Sequence, residues 1–350
     1  MKKIFPLLLI LSILLSACNA GETTAVPNES DSTAQETESA PTEETAAEAV
    51  SRLEVDEEAL RGLQINVWTP WYGVEQGLFE TFVNEFNAGN EWGIRVSAQS
   101  QINFTNLYET TKASLPTEGR PDLVIALPEH AQEWFSNGVS TDLSEYVEDP
   151  LYGLNASDIP FAFWNQDLAG KARVAVPAQR TAQVLLWNET WTDELNISAA
   201  PASPDDFRKQ ACRAHDSMKK DEFAENDAMG GWIVDTEPMT AYSWMLSFDG
   251  GVLEEGNYRF LTPENIDTFK FLRELSESNC AWQGEANPIT SFANREALFI
   301  TASLQDLPAV TRAFASAENR DTWSLLPFPN EDNGTIAVYG SSYIVMKTSD

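Results

Sequence analysis

The spacing of hydrophobic and polar positions changes along the chain in a regular order. Leu63 to Trp68 (LQINVW) alternates as a half-buried strand, and Val74 to Phe86 then sets Leu78, Phe79, Phe82, Val83 and Phe86 on one helical face. Ile94, Val96 and Ala98 alternate as a second strand, and a helix is expected from about Asn106 to Leu115. Leu123 to Leu127 is a continuous apolar run, the pattern of a strand covered on both faces, and a helix from about Glu129 to Asn137 follows. Strand and helix alternate, so the expected class is α/β, a parallel sheet with helices on both sides. In such sheets ligands sit beyond the carboxyl ends of the strands, here Thr69 to Gly73, Gln101 to Phe104 and Pro128 to His130.

Arg173 to Asn188 (RVAVPAQRTAQVLLWN) reads as a strand, a break at Pro177, the polar residues Gln179, Arg180, Thr181 and Gln183, and a second apolar strand ending at Trp187 and Asn188. Two short buried strands with a polar link suit a place where the backbone leaves one lobe for another. Such a place is a hinge, and hinges flank clefts. Beyond it, Ser203-Pro204-Asp205-Asp206 starts a helix with Ser as N-cap and Pro at the first helical position, running to about Met218. GGWIVD reads as a strand, and Thr236 to Phe248 as a helix or an irregular aromatic-rich segment. Thr262-Pro263-Glu264-Asn265 starts a helix with Ile266, Phe269, Leu272 and Leu275 inward.

The first residues, MKKIFPLLLILSILLSAC, combine two lysines, an apolar run too short to span a bilayer comfortably, and small residues. This is an export signal, residues 1–18, and Leu-Ser-Ala-Cys resembles a bacterial lipobox that would make Cys18 the lipidated N-terminus. Residues 19–60 are rich in Glu, Thr, Ala, Ser and Pro and bury too little to offset ordering entropy, so a disordered acidic tether is expected. It carries twelve acidic residues against one arginine, and with a net charge of −32 for the whole chain the body beyond it is acidic as well. Nucleic acid and anionic lipid are disfavoured as partners. Of the three cysteines, assigning Cys18 to lipid leaves Cys212 and Cys280, which either pair as a disulfide in an oxidising compartment or stay separate buried thiols.

The two histidines, His130 and His215, are far apart, and zinc spacings, phosphate loops and dinucleotide fingerprints are missing. Neither a metal nor a cofactor is expected. Carboxylates are too abundant to exclude a glycosidase pair. At strand ends the chain offers aromatics beside amides and carboxylates, which suit the C–H faces and hydroxyls of sugars.

Several segments share their order and spacing with a known family. These are Val67-Trp68 before an amphipathic helix, Gly119-Arg120-Pro121-Asp122 before the third strand, Gly138 to Leu143, the Pro177 to Asn188 stretch, and Asp249-Gly250-Gly251. The chain resembles the extracellular solute-binding proteins of ABC importers, the sugar-binding, maltose-binding-protein-like type. The resemblance implies a two-lobe periplasmic-binding-protein-like fold with a hinge and an inter-lobe cleft. Lobe 1 would comprise residues 61–185 and 298–338, and lobe 2 residues 186–297 and 339–350. Family members usually continue further, so the C-terminal part reads as truncated and lobe 2 as incomplete. Capture of a small solute, most naturally a sugar or oligosaccharide, and its delivery to membrane permease subunits are implied, with the protein exported and lipid-anchored at the outer face of the membrane. A binding protein for a polyamine or other small polar solute, and a secreted carbohydrate-active lipoprotein enzyme, are the alternatives.

Carried over by position, the resemblance implies ligand contacts from Trp71 and Tyr72 after the first strand, and from Glu129 and His130 after the third. It further implies Thr181 with Gln183 at the hinge, Glu237 beside Pro238, Trp244 just after it, and Ser303 near a family tryptophan that this chain lacks. Other roles stay open for several residues. Trp68 and Trp187 sit inside apolar strands and suit the core, and Glu129 suits the first turn of a helix. Arg180 suits a ligand carboxylate, a bridge between lobes or a surface acid.

Overall fold

The structure, a computed structural model, describes residues 50–347 apart from 255, 256, 285, 286 and 333. The export signal, Cys18 and most of the tether lie outside the described residues. Among those described, no helix is long and apolar enough to cross a membrane.

Strands β1 (Gln64–Thr69), β2 (Arg95–Ser100) and β3 (Leu123–Ala126) run parallel, with β1 in the middle. Helices α1 (Gly73–Gly89) and α2 (Phe104–Ser114) return the chain between them, and α3 (Pro128–Ser136) follows β3. Local chemistry sets these boundaries. The Asn103 side chain accepts the Asn106 amide at the start of α2, and Pro128 opens α3, where no intrahelical N–H is needed. Asp122 reaches across to accept the Asn66 amide at 2.8 Å, which ties the entry of β3 to β1. Trp68, Leu107, Val124, Ala126, Ala131 and Trp134 form the first core.

The apolar stripe of α1 does not face inward as its spacing predicts. Leu78, Phe82 and Phe86 are 57, 56 and 44% exposed. The helix is turned instead so that its polar groups bond to the sheet: Thr69 donates to the Gln76 side chain at 2.5 Å, and Asn87 exchanges bonds of 2.7 and 2.8 Å with the Val96 backbone. The Asn87 bonds satisfy backbone groups on the edge strand β2, which apolar contact cannot do.

One strand, β4 (Val176–Asn188), carries the chain out of the first core, and Pro177 does not break it. Its partner strand β9 (Ala337–Val345) shifts register between Ser341 and Ser342, opposite Pro177, so the proline sits at a bulge where its missing N–H is tolerated. Nearby, a Cβ on Gly340 would stand 2.0 Å from the Gln179 carbonyl oxygen, so the close approach of the two crossing strands requires glycine.

The second half supplies α4 (Pro204–Met218), β5 (Gly230–Ile233), α5 (Pro238–Ser247), α6 (Pro263–Glu277), β6 (Ala281–Trp282), α7 (Pro288–Ala293), β7 (Ala297–Ser303), α8 (Leu307–Ser316) and β8 (Trp323–Leu326). The sheet runs β6-β5-β7-β4-β9-β3-β1-β2, with β8 also paired to β4. Alternation along β4 divides the second core in two. Leu185 and Trp187 join Phe207, Trp232, Trp244, Phe271 and Phe299 on one face, while Leu186 joins Ile233, Phe292, Ile300, Val310 and Phe314 on the other. Cys212 on α4 and Cys280 before β6 form a disulfide, Cα to Cα 4.4 Å.

This packing corrects four expectations. Residues 298–338 belong with the second core, because β7 pairs with β4 and β5 and α8 packs on α7. The segment after residue 339 returns to the first: Ile344 lies opposite Val124 and packs with Trp68. On α6 the inward residues are Asn265, Thr268, Phe271 and Leu275, with Ile266 and Phe269 outside, because the Asn265 side chain bonds the Gly251 backbone at 2.7 and 3.0 Å. Finally, the expected tether ends before residue 60. Asp149 accepts bonds from the Arg52 amide and the Ser51 hydroxyl, and Glu57–Leu60 is a helical turn.

Candidate functional site

The strands that cross between the cores bring polar side chains onto one face. In β9 Tyr339 lies opposite Thr181 and Ala337 opposite Gln183, while on the other side of β4 Ser303 of β7 lies opposite Gln183. Directly opposed residues share a sheet face, so Thr181, Gln183, Ser303 and Tyr339 converge. The first turn of α5 adds Thr240, and the residues just before that helix add Asp235 and Glu237.

A continuous hydrogen-bonded row results. The Tyr339 hydroxyl donates to Gln183 Oε1 at 2.8 Å, Gln183 Nε2 donates to Thr240 Oγ1 at 2.8 Å, and Thr240 donates to Asp235. At the other end Ser303 donates to Asp306 through its amide and hydroxyl, at 2.8 and 2.9 Å. Burial, joined by the Asp306, Asp235 and Glu237 carboxylates, pushes the Tyr339 phenol above its ordinary value, so it stays protonated as a donor. Thr181 is 3% exposed, yet its hydroxyl has no partner.

The lobe 1 residues stand at the carboxyl end of its sheet. Trp71 follows β1, half-buried with its ring against Phe79 at 5.4 Å, and Tyr72 beside it is 68% exposed. Glu129 is an exposed acid in the first turn of α3. His130 lies in an aromatic stack, 4.6 Å from Tyr108 and 5.8 Å from Trp134, and burial lowers its pKa, so the ring is neutral at pH 7. Ala126, the last residue of β3, lies opposite Ser342, three residues beyond Tyr339 on β9. Both sets therefore lie toward the same crossing. Among the described residues no hydrogen bond or ring contact joins them. A cavity of about 900 Å³ lies elsewhere: Leu63, Ile65, Leu123, Val345 and Met346 line it, where β1 and β3 begin.

Of the expected contacts, Thr181, Gln183, Glu237 and Ser303 lie in one group on the crossing strands and at the start of α5, and Trp71, Tyr72, Glu129 and His130 lie just past the carboxyl ends of β1 and β3. Trp244 is a correction. It is fully buried, with Phe207 and Phe328 at 4.9 and 5.1 Å, one helical turn deeper than Thr240. A ligand at the cluster cannot reach that ring without opening the core. Asp235, Thr240, Asp306 and Tyr339 belong to the cluster but were not expected. Asp235 stands just past a strand end, the rule already applied to lobe 1, and Ser303 to Asp306 has capping-box spacing. Tyr339 has no local signal, since only its register with β4 places it.

Residues 81–350 match the family model of the bacterial extracellular solute-binding proteins. The chain belongs to that family. The fold of this solute-binding protein is similar to that of the sugar-binding protein MalE from the phytopathogen Xanthomonas citri, with a TM-score of 0.70 at 17% identity over 82% of this chain and 71% of that one. It is also similar to UgpB from Mycobacterium tuberculosis, solved with glycerophosphocholine (TM-score 0.67, 17% identity, 82% of this chain and 71% of that one). A third similar structure is the ABC substrate-binding protein Lmo0181 from Listeria monocytogenes, solved with cycloalternan (TM-score 0.65, 16% identity, 82% and 72%). No curated protein matches the chain in sequence. At these identities the solved structures establish the fold, two α/β lobes, and the family establishes an extracellular solute-binding protein.

Proposed function

We propose that this protein captures an extracellular carbohydrate in the cleft between its lobes and hands it to the permease subunits of an ABC importer, held at the outer face of the membrane by lipid on Cys18. The observation that carries this reading is the polar row across the crossing strands. Gln183 and Thr240 are buried in it, Tyr339 is half-buried, and Trp71, Tyr72, Glu129 and His130 follow the carboxyl ends of β1 and β3 in lobe 1. Fixed donors and acceptors beside aromatic rings suit sugar hydroxyls and C–H faces. Strands that pass between lobes also supply the hinge about which such a cleft closes.

In this reading no bond of the ligand is made or broken. Calorimetry with a panel of mono- and oligosaccharides tests it: saturable binding at one ligand per protein, with the ligand recovered unchanged, is expected. Product formed at sub-stoichiometric protein overturns it in favour of an enzyme. The anchor is tested separately, since Cys18→Ser should release the protein from the membrane fraction of a lipoprotein-processing host, and retention after a salt wash overturns the lipid reading.

A further inference from the structure

Most donors of the polar row are already engaged. The Tyr339, Thr240 and Ser303 hydroxyls and one of the two Gln183 amide hydrogens go to neighbours inside the cluster, so apart from the second Gln183 hydrogen and the Thr181 hydroxyl what remains toward the cleft is acceptor capacity. Asp235 and Asp306, both half-buried, end the row by accepting from Thr240 and Ser303, and the exposed Glu237 stands two residues beyond Asp235 at the start of α5. Among the described residues no lysine or arginine forms a salt bridge with any of them. Arg180, the next cation along β4, is on the opposite strand face and is held by Asp167. A second, independent feature points the same way. Thr181, opposite Tyr339 and on the face of Gln183, is almost fully buried with its hydroxyl unpartnered, and a buried polar group of that kind is normally completed by something. A metal ion does not fit, because no group of carboxylates among the described residues is close enough to hold one.

Uncompensated negative charge around a set of acceptors selects a ligand that brings donors and positive charge together. A neutral sugar brings donors alone. We infer that the solute taken by this cleft carries a protonated amine, as an amino sugar does, and that the ammonium group is received among Asp235, Glu237 and Asp306 with the Thr181 hydroxyl turned toward the ligand.

This inference rests on the carbohydrate-capture reading, and the experiment separates the two. The full chain is titrated calorimetrically with matched pairs, each an amino sugar beside its neutral or N-acetylated counterpart (glucosamine with glucose and N-acetylglucosamine, and the corresponding β-1,4 disaccharides), and with spermidine. The expected result is at least a tenfold preference for the aminated member. That preference should weaken in high salt and fall to about parity in Glu237→Gln with Asp306→Asn, while Glu264→Gln on the exposed start of α6 leaves it unchanged. Thr181→Val should lower affinity for the amino sugar without lowering the melting temperature of the free protein, because its hydroxyl has no partner to lose. Equal or tighter binding of the neutral members overturns the amine and leaves carbohydrate capture standing. Binding of spermidine alone upholds the ammonium and overturns the carbohydrate, and a panel with no binder overturns both.

Discussion

Arg180 and Asp167 form an ion pair at 2.8 Å, with side-chain exposures of 3 and 0%. Arg180 lies in β4 where it crosses between the lobes, and its guanidinium also bonds Ser342 at 3.1 Å and the Ser341 carbonyl on β9. Ser342 in turn donates to Asp167 at 2.5 Å, so every polar group of the pair but Arg180 Nε is answered. The pair pins both crossing strands to lobe 1, and Arg180 is therefore no ligand contact. Removing one partner leaves a buried charge alone, which costs more than removing both. Asp167→Ala should lower stability by about 3–5 kcal/mol, and the apolar replacement of both (Arg180→Met with Asp167→Leu) should cost much less. Urea denaturation of the two variants makes the comparison, and equal losses would contradict it.

Asp149 gives a pH-dependent attachment. Burial works against its carboxylate, but the amides of Tyr152, Arg52 and Leu151 and the Ser51 hydroxyl outweigh that and hold its pKa at about 2. An unfolded aspartate titrates near ~4, so the depressed value means stabilisation that is present above about pH 4 and is lost as pH falls through about 2. Hydrogen exchange at residues 51–53, corrected for intrinsic rates, should show protection that disappears over that window. Asp149→Asn should release the segment at neutral pH as well, and unchanged protection there would count against the attachment.

Trp244 and Gln183 should separate stability from binding. Trp244→Ala empties a fully buried site and should cost about 3–5 kcal/mol of stability. Gln183→Leu breaks the bonds to Tyr339 and Thr240 together, and each loss of a buried partner costs about 1–3 kcal/mol, felt in ligand affinity as well as in the fold. Thermal melts with and without a bound ligand distinguish them: the ligand-induced rise in melting temperature should survive in Trp244→Ala and shrink in Gln183→Leu.

The Cys212–Cys280 bond closes a loop with a sequence separation of 68. The loop-entropy relation assigns it about 4 kcal/mol. Cys212→Ser with Cys280→Ser should lower stability by about that amount while leaving the polar row intact, since none of the row's hydrogen bonds involves α4 or β6. Denaturation of oxidised and double-variant protein measures the difference, and a loss under about 1 kcal/mol would show that the unfolded chain is not constrained as the relation assumes.

Much of this protein is decided within short stretches of its sequence. The alternation in Leu63 to Trp68, the apolar run at Leu123, the N-caps at Ser203 and Thr262 and the proline-opened helices depend on neighbours a few residues away, and they appear where the pattern places them. Which face of an element turns inward was decided at longer range. The α1 stripe reads as core, but the bonds of Gln76 and Asn87 to β1 and β2 rotate it outward, and Asn265 does the same to α6 through Gly251. The site shows the same division. The order of motifs singles out Thr181, Gln183, Glu237 and Ser303 as candidates, whereas Tyr339 joins them only because the register of β9 sets it opposite Thr181, 158 positions earlier in the chain. Trp244 reads as a ligand contact and is instead enclosed by rings from three other elements and from the segment after β8, because Phe207, Trp232, Phe271 and Phe328 reach it only after the lobe has folded. Local hydrogen bonding and periodicity are properties of the chain. Strand register, helix rotation and the partners of buried charges depend on pairs distant in sequence, and only the tertiary structure brings those together.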